Sequence, residues 1–332
     1  MKAVQFSRFG GAEVLEYIDV PKPVPGPMEV LIEVHAAGVN YVDVRERQGV
    51  YQRPETHVGS DKGLPRISGL QVAGIIADVG PQVDGTLIGK KAVALLRSGG
   101  YAQFAIAPVD MTIIVPTLAD VFKLAAIPTQ GLTAWLMLHA STQLHAGESV
   151  LIHGAAGGVG SLAVQLAKTI GAGLIVASAA TDEKRQFVRS AGADIAIDYS
   201  IPDWPKLVLE ATKGRGVDVI LESIGGTIFE ENFECLATFG RYIIFGSTRG
   251  PGKPFEPRRL MEKSQTMTGI YLPVYYSRPE LIRKGLQELV DLALANKLAA
   301  KLAAVLPLSR AADAHGMLEQ RLTIGAVVLD PS

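Results

Sequence analysis

Cysteine is nearly absent: Cys235 is the only one in 332 residues. An internal disulfide is therefore impossible, four clustered thiolates for a structural zinc are impossible too, and a reducing, cytoplasmic setting is expected. Neither sign of charge is in excess. Lysine and arginine total 32 against 33 acidic residues, a formal charge of −1, and there is no basic run. Neither nucleic acid nor an anionic membrane is thereby implied as a partner. No apolar stretch reaches the length needed to cross a bilayer. The opening residues Met1-Lys2-Ala3-Val4 lead into strand-like alternation and Phe9-Gly10-Gly11, without the apolar block and cleavage site of a signal peptide. The chain is too long for one core, and its 48% hydrophobic content suits two well-buried α/β-type domains.

Glycine, by contrast, is plentiful, and its placement carries the strongest signal. The stretch 149–170, SVLIHGAAGGVGSLAVQLAKTI, reads as strand, turn and helix in succession. Val150–His153 is a short apolar run bounded at once by Gly154. From Val159 the apolar side chains recur at Leu162, Ala163, Leu166, Ala167 and Ile170, one face of a helix. Gly157, Gly158 and Gly160 let backbone amides approach a ligand that a Cβ would hold off. A helix N-terminus with free N–H groups and a positive dipole end favours a pyrophosphate there. The motif departs from G-x-G-x-x-G, with Ala155 at the place of the first glycine. The strand before it and the helix after it supply the context that predicts a dinucleotide site.

The next strand should choose the nucleotide. Leu174–Ala177 follows the break Gly171-Ala172-Gly173. An NAD site would end this strand with Asp or Glu, about 20 residues past the glycines, to accept from the ribose 2′-hydroxyl. Here the chain has Ser178, Ala179, Ala180 and Thr181, then Lys184 and Arg185. Without the carboxylate a 2′-phosphate meets no repulsion, and Lys184 offers a counter-charge. The competing reading leaves Lys184 and Arg185 on a solvated helix face beside Asp182 and Glu183. The missing acid and the added base both favour NADP(H).

Residues 1–118 hold short β-type runs (Val30–Ala36, Val72–Val79, Lys91–Leu96, Tyr101–Ala107) separated by proline and glycine. Over 119–266 strands alternate with helices, and Val217–Glu222 and Arg241–Phe245 read as further parallel strands, each closed by glycine. Over 267–332 one strand-like piece leads to a long helix, Pro279–Asn296, and a last strand, Ala326–Leu329. The predicted fold class is α/β. A doubly wound nucleotide domain, 119–266, is flanked by two pieces of a β-rich domain, 1–118 and 267–332.

Shorter motifs then point to a family. They are Asn40-Tyr41-Val42-Asp43 with Arg47 and Gly49, Gly131-Leu132-Thr133, the glycine turn, and Ala191-Gly192-Ala193. They continue through Val217–Gly226, Phe239-Gly240-Arg241-Tyr242, Phe245-Gly246, and Arg321-Leu322-Thr323-Ile324-Gly325. In order and spacing the chain resembles, almost end to end, the quinone oxidoreductase (zeta-crystallin-like) branch of the zinc-independent medium-chain dehydrogenase/reductases. The resemblance implies a GroES-like β-rich domain, a Rossmann doubly wound parallel-sheet domain, NADPH as cofactor, and a homodimer paired through Rossmann edge strands. Zinc-dependent relatives carry Gly-His-Glu where this chain has Gly69-Leu70-Gln71; leucine cannot ligate zinc and glutamine is a poor substitute. His35, His57, His139, His145, His153 and His315 are scattered and read as packed or solvated, so no metal is expected.

Hydride transfer without a metal suits quinones and α,β-unsaturated ketones, whose oxyanion or enolate is held by hydrogen bonds. The resemblance puts Asn40, Tyr41 and Arg45 at the nicotinamide end of the site. Arg45 stands where several relatives carry tyrosine; it either stabilises a developing enolate or pairs with Asp43 or Glu46. Asp43 reads as a structural hydrogen-bonding residue. Carried over position by position, Thr133 lies by the nicotinamide, and Gly157, Gly158 and Val159 form the pyrophosphate turn. Ala180 and Lys184 belong to the 2′-phosphate pocket, with Tyr199 beside the same ribose and Ser178 counted among the cofactor contacts. Ser223 and Phe245-Gly246-Ser247 match the wall from adenosine to nicotinamide, and Arg321 an arginine that reaches towards the phosphates. Ordinary loop capping is the alternative for Ser223, Ser247 and Tyr199. The segment 51–68 reads as an exposed loop.

The expected function is zinc-independent, NADPH-dependent hydride transfer to a quinone or an α,β-unsaturated carbonyl. Two alternatives stand beside it. One is an enoyl-thioester reductase, for which Arg258, Arg259 and Lys263 would supply positive charge. The other is an NADPH-binding structural or regulatory protein with little catalysis, since a fold does not prove turnover.

Overall fold

The computed structural model describes residues 1–50 and 63–332, so residues 51–62 of the loop expected at 51–68 lie outside the described residues. The chain divides into two compact units, Thr133–Tyr271 and Met1–Leu132 with Leu272–Ser332.

The unit Thr133–Tyr271 is built on six strands: β1 (Ser149–Ile152), β2 (Leu174–Ser178), β3 (Ile195–Ile197), β4 (Val217–Glu222), β5 (Leu236–Ile244) and β6 (Thr266–Gly269). All neighbouring pairs are parallel, and the strand order is β3-β2-β1-β4-β5-β6. This is the doubly wound order of a dinucleotide-binding sheet. It reverses between β1 and β4, and such a switch point is where open α/β sheets place ligands, beyond the carboxyl ends of the strands. Val150, Leu151 and Ile152 of β1 and Val219, Ile220 and Leu221 of β4 are fully buried. Continuous apolar runs of this kind are what a parallel strand with both faces covered requires. The helix Gly158–Ile170 follows β1 and stops at Gly171, whose left-handed backbone (φ +88°) only glycine adopts freely. Strand β5 begins five residues before the expected Arg241, directly after the helix Ile228–Cys235. A register shift opposite Val217–Val219 and a left-handed Phe239 absorb the extra residues, an irregularity that hydrophobic alternation does not announce.

In the other unit a seven-stranded sheet is centred on the long strand Glu29–Val39, paired with Gln71–Val79, Phe104–Pro108 and Ala326–Asp330. Its core gathers Val30, Ile32, Val72, Ile76, Ala94 and Tyr101. The strand expected from Tyr101 begins only at Phe104, because the backbone of 101–103 bonds instead to Ser68, Val4 and Lys2. Leu302–Pro307 pairs in parallel with Ala326–Asp330 across the helix Ala311–Glu319, a piece that the alanine-rich sequence hides. Residues 119–132, expected with the nucleotide domain, fall in this unit. The helix Val121–Ala125 packs on its strands, and Gln130 Nε2 donates to the Val39 carbonyl at 3.2 Å. No described helix is long and apolar enough to cross a membrane.

Candidate active site

In the unit Thr133–Tyr271 the chain leaves β1 through His153 and turns at Gly154, whose φ is +59°. Ala155 is buried within that turn and its N–H donates to the Ser178 carbonyl at 3.2 Å. The positive φ that the turn needs sits at Gly154, which is why alanine is accepted at the place of the first fingerprint glycine. Gly160 is required by packing: a Cβ there would lie 2.4 Å from the Gly154 carbonyl oxygen. The N-cap of the following helix, Gly157, makes no side-chain cap hydrogen bond. The first N–H groups of a helix have no intrahelical acceptor, so Gly158, Val159 and Gly160 present donors at a positive dipole end. Gly157, Gly158 and Val159 are partly exposed there.

Beyond β2 the expected residues separate. Ser178 is fully buried and its hydroxyl lies 2.8 Å from His153 Nδ1. Its hydroxyl is thus committed to the core beneath the turn. Ala180 is exposed, and no carboxylate stands at 178–181. Thr181 caps the helix Asp182–Ser190 by accepting from the Lys184 N–H at 3.3 Å, and Lys184 is half-buried in its first turn. Arg185 turns back: it donates to the Ala179 carbonyl at 3.0 Å and pairs with Asp182 and Asp198. Of the two cations after β2, Arg185 is therefore structural. Tyr199 is buried, and the Arg249 guanidinium lies 5.1 Å from its ring centre, a pairing that sequence reading misses. The two residues are 50 positions apart, so no local pattern signals it.

The turns after β4 and β5 are fastened together. Thr248 N–H donates to the Ser223 carbonyl at 2.9 Å, Arg249 N–H to the Ile224 carbonyl at 2.6 Å, and Gly226 N–H to the Gly250 carbonyl at 3.1 Å. Ser223, Phe245 and Gly246 are half-buried on this wall, and Ser247 is exposed. Beneath it, Glu222 accepts from the N–H groups of Ile224 and Gly225 and from Asn232. Asn232 Oδ1 in turn accepts from His153 Nε2 at 2.7 Å. Thr133 is half-buried at the start of this unit.

The other unit holds Asn40, Tyr41 and Arg45 at the helix Tyr41–Arg47. The Asn40 N–H donates to Asp43 Oδ2 at 2.8 Å, holding the helix start, and Gln71 Nε2 donates to Asn40 Oδ1 at 3.3 Å. Tyr41 and Arg45 are half-buried, and Arg45 reaches Gln48 Oε1 at 3.4 Å. Asp43 is fully buried, and its carboxyl is pushed up to about 7 by burial and then by the Glu46 charge, against hydrogen bonds from Asn40 and Tyr101. Arg321 is exposed just past the helix Ala311–Glu319, in a left-handed conformation (φ +57°). At the place where zinc-dependent relatives carry ligands, Leu70 is buried in the core, and the Gln71 amide is committed to Asn40 and, at 2.7 Å, to the Thr129 N–H. No three His, Cys, Asp or Glu side chains gather among the described residues in a way that could hold a metal ion.

Comparison with known proteins agrees with this architecture. Residues 26–117 match the alcohol dehydrogenase GroES-like domain, and residues 158–290 match the zinc-binding dehydrogenase domain. A quinone oxidoreductase of Pseudomonas aeruginosa is 34% identical over 99% of both chains. A 2-haloacrylate reductase of Burkholderia is 32% identical over 97% of this chain and 96% of its own. The structure of Escherichia coli quinone oxidoreductase complexed with NADPH superposes with a TM-score of 0.91 at 30% identity, covering 100% of both chains. Relatedness over the full length, the doubly wound order 3-2-1-4-5-6 and the Leu70-Gln71 substitution agree: the chain belongs to the quinone oxidoreductase family of zinc-independent medium-chain dehydrogenase/reductases.

Proposed function

We propose that this protein is an NADPH-dependent reductase that delivers hydride to a quinone or an α,β-unsaturated carbonyl. The observation that carries the reading is the uncapped helix start at Gly157 beside a β2 end that has no carboxylate. NADPH, when bound, supplies the hydride. The backbone N–H groups of Gly158 and Val159, beside the Gly157 N-cap, hold the pyrophosphate at the dipole end of the helix. Ala180 leaves room for a 2′-phosphate, Lys184 supplies its counter-charge, and Tyr199 with Arg249 flanks the adenosine side. Ser223, Phe245, Gly246 and Ser247 form a wall whose backbone is already ordered, so little freedom is lost on binding. Thr133 by the nicotinamide and Arg321 towards the phosphates are roles that rest on the family resemblance.

Asn40, Tyr41 and Arg45 serve the acceptor. The Asn40 amide and the Arg45 guanidinium are donors suited to an oxygen that gains negative charge as hydride adds. Arg45, whose side chain among the described residues is tied to Gln48 through a long hydrogen bond, is the cation that can favour an enolate or a quinol oxyanion. The family resemblance adds a homodimer paired through edge strands of the six-stranded sheet, whose edges are β3 and β6.

The test is NADPH oxidation, followed by loss of nicotinamide absorbance, against benzoquinone, phenanthrenequinone, an alkyl enone and crotonyl-coenzyme A, with NADH in parallel. Rapid, chelator-insensitive oxidation with a quinone or enone, and a strong preference for NADPH, is the expected result. A preference for the thioester turns the assignment to enoyl-thioester reduction. NADPH binding with no reduction of any acceptor overturns the enzyme reading. Light scattering on the purified protein gives the subunit number.

A further inference from the structure

Behind Asn40 lies a buried chain of polar groups that hydride transfer does not use directly. Asp43 Oδ2 receives three donors: the Asn40 N–H at 2.8 Å, Asn40 Nδ2 at 3.4 Å and the Tyr101 hydroxyl at 3.0 Å. The other oxygen, Oδ1, is buried without a partner among the described residues. Tyr101 has one proton and gives it to the carboxylate, so its oxygen accepts from His315 Nε2, 3.2 Å away. That direction fixes His315 as the Nε2–H tautomer and leaves Nδ1 unprotonated, buried and likewise without a described partner. Burial, and then the Arg47 charge, pushes the His315 imidazole down to about 3, so it stays neutral. Arg47 itself is fully buried and bound to Glu319 at 2.6 Å.

The order of the chain is therefore His315 to Tyr101 to Asp43, with Asn40 bound to the far end. Its members come from the helix Ala311–Glu319, the segment before Phe104–Pro108 and the helix Tyr41–Arg47. The remaining charged groups around Asp43 are Glu46 and Arg47 of its own helix and Glu319 opposite them. Gln71 grips the Asn40 carbonyl oxygen from the other side. Held at both ends, the Asn40 amide keeps one N–H proton for the reacting oxygen.

We propose that Tyr101 and His315 are positioning residues of the reductase site: His315 orients Tyr101, Tyr101 fixes the Asp43 carboxyl, and Asp43 sets the Asn40 amide. The inference rests on the role assigned to Asn40 above. It explains why a neutral histidine, a tyrosine and an aspartate are buried together where apolar residues would pack at less desolvation cost.

The test compares Tyr101→Phe, His315→Leu, His315→Gln and Asp43→Asn in the full chain. Each is assayed for kcat and KM across pH, and each is titrated by infrared spectroscopy of the carboxylic C=O stretch. Loss of the band in Asp43→Asn assigns it. Tyr101→Phe removes one oxygen and keeps the ring, so it is the variant expected to fold. Removing one buried hydrogen bond should lower kcat roughly five- to tenfold in Tyr101→Phe and His315→Leu, with KM for NADPH within about twofold. The carboxyl titration should move upward from about 7. His315→Gln places an N–H near the Nε2 position and should recover most of the loss. Wild-type kcat and titration in Tyr101→Phe would overturn the proposal. So would equal damage in His315→Gln and His315→Leu, which would assign the histidine to packing alone. A wild-type protein that fails to oxidise NADPH with every acceptor offered sinks the reductase reading, whereas the infrared titration still reports whether the chain controls Asp43.

Discussion

The two units each bury a polar network beneath a candidate site, and the networks are built differently. In the Rossmann unit, His153, Ser178, Glu222, Asn232 and Tyr242 satisfy one another, and none of their buried side-chain atoms is left without a partner. Glu222 spends one oxygen on two loop N–H groups and the other on Asn232. In the GroES-like unit the network of Asn40, Asp43, Arg47, Tyr101 and His315 leaves Asp43 Oδ1, His315 Nδ1 and two Arg47 nitrogens without partners among the described residues. A satisfied network rigidifies, whereas in the same low dielectric the field of a nearby charge acts strongly on a buried ionisable group such as Asp43. The contrast suits the two tasks. A pyrophosphate turn has to hold one shape, whereas a reacting oxygen changes its charge during the reaction.

The largest effect should come from breaking the satisfied network. Glu222→Ala strands the Ile224 and Gly225 amides and Asn232 together, and the expected loss is about 3–5 kcal/mol. Thermal unfolding should show a midpoint lowered by roughly 10 °C, with weakened NADPH binding. A stable Glu222→Ala protein with unchanged binding would mean that the backbone bonds between the two turns suffice without the carboxylate.

The second experiment sharpens the contrast through pH. The Asp43 carboxyl is raised to about 7 in the folded protein, above its value of about 3.9 in an unfolded chain. Its contribution is therefore full below about pH 4 and is lost as pH rises through 7. Asp43→Asn has no such loss, so the stability difference, variant minus wild type, should grow by about 1–3 kcal/mol between pH 5 and 8.5. His315 carries the opposite sign: its lowered pKa gives stability above about 6.5 that is lost as pH falls towards 3. It is common to both proteins and cancels in the difference. Denaturant melts at several pH values measure this, and a flat difference would contradict the burial of an ionisable Asp43.

The smallest effect on folding should accompany a clear effect on cofactor choice. Ala180 is exposed. Ala180→Asp restores the carboxylate that an NAD site uses, and should shift the NADPH-to-NADH ratio of kcat/KM by about tenfold or more towards NADH. The melting midpoint should stay within about 1 °C, as for surface substitutions elsewhere. An unchanged ratio would remove Ala180 from the 2′-phosphate pocket.

Some of this is legible in the residues. Val217–Glu222 has the bounds expected of it, and the helix Gly158–Ile170 starts within one residue of the first apolar repeat. Both are runs whose neighbours in sequence supply the signal. The start of β5 and the strand Leu302–Pro307 are not legible, because a bulge and an alanine-rich stretch blur alternation. Ser178 shows the limit for the site. It is expected among the cofactor contacts, and the bond of its hydroxyl to His153, 25 positions away, has no local signature. Sequence groups His315 with the other histidines as packed or solvated; its burial is of that kind, and its bond to Tyr101, 214 positions away, has no local signature.

By itself the sequence determined the period of each element, the glycine turn, the missing carboxylate after β2 and the substitution of zinc-ligand types at Leu70-Gln71. Those follow from chain stereochemistry and from side-chain identity, which are local. Tertiary structure alone decided which polar groups are paired: Arg185 folded back on Asp198, Arg249 over Tyr199, and Asp43 enclosed with Tyr101 and His315. The physical reason is that desolvation and hydrogen-bond direction depend on groups brought from distant parts of the chain, and the chemistry of a buried carboxylate is set by them.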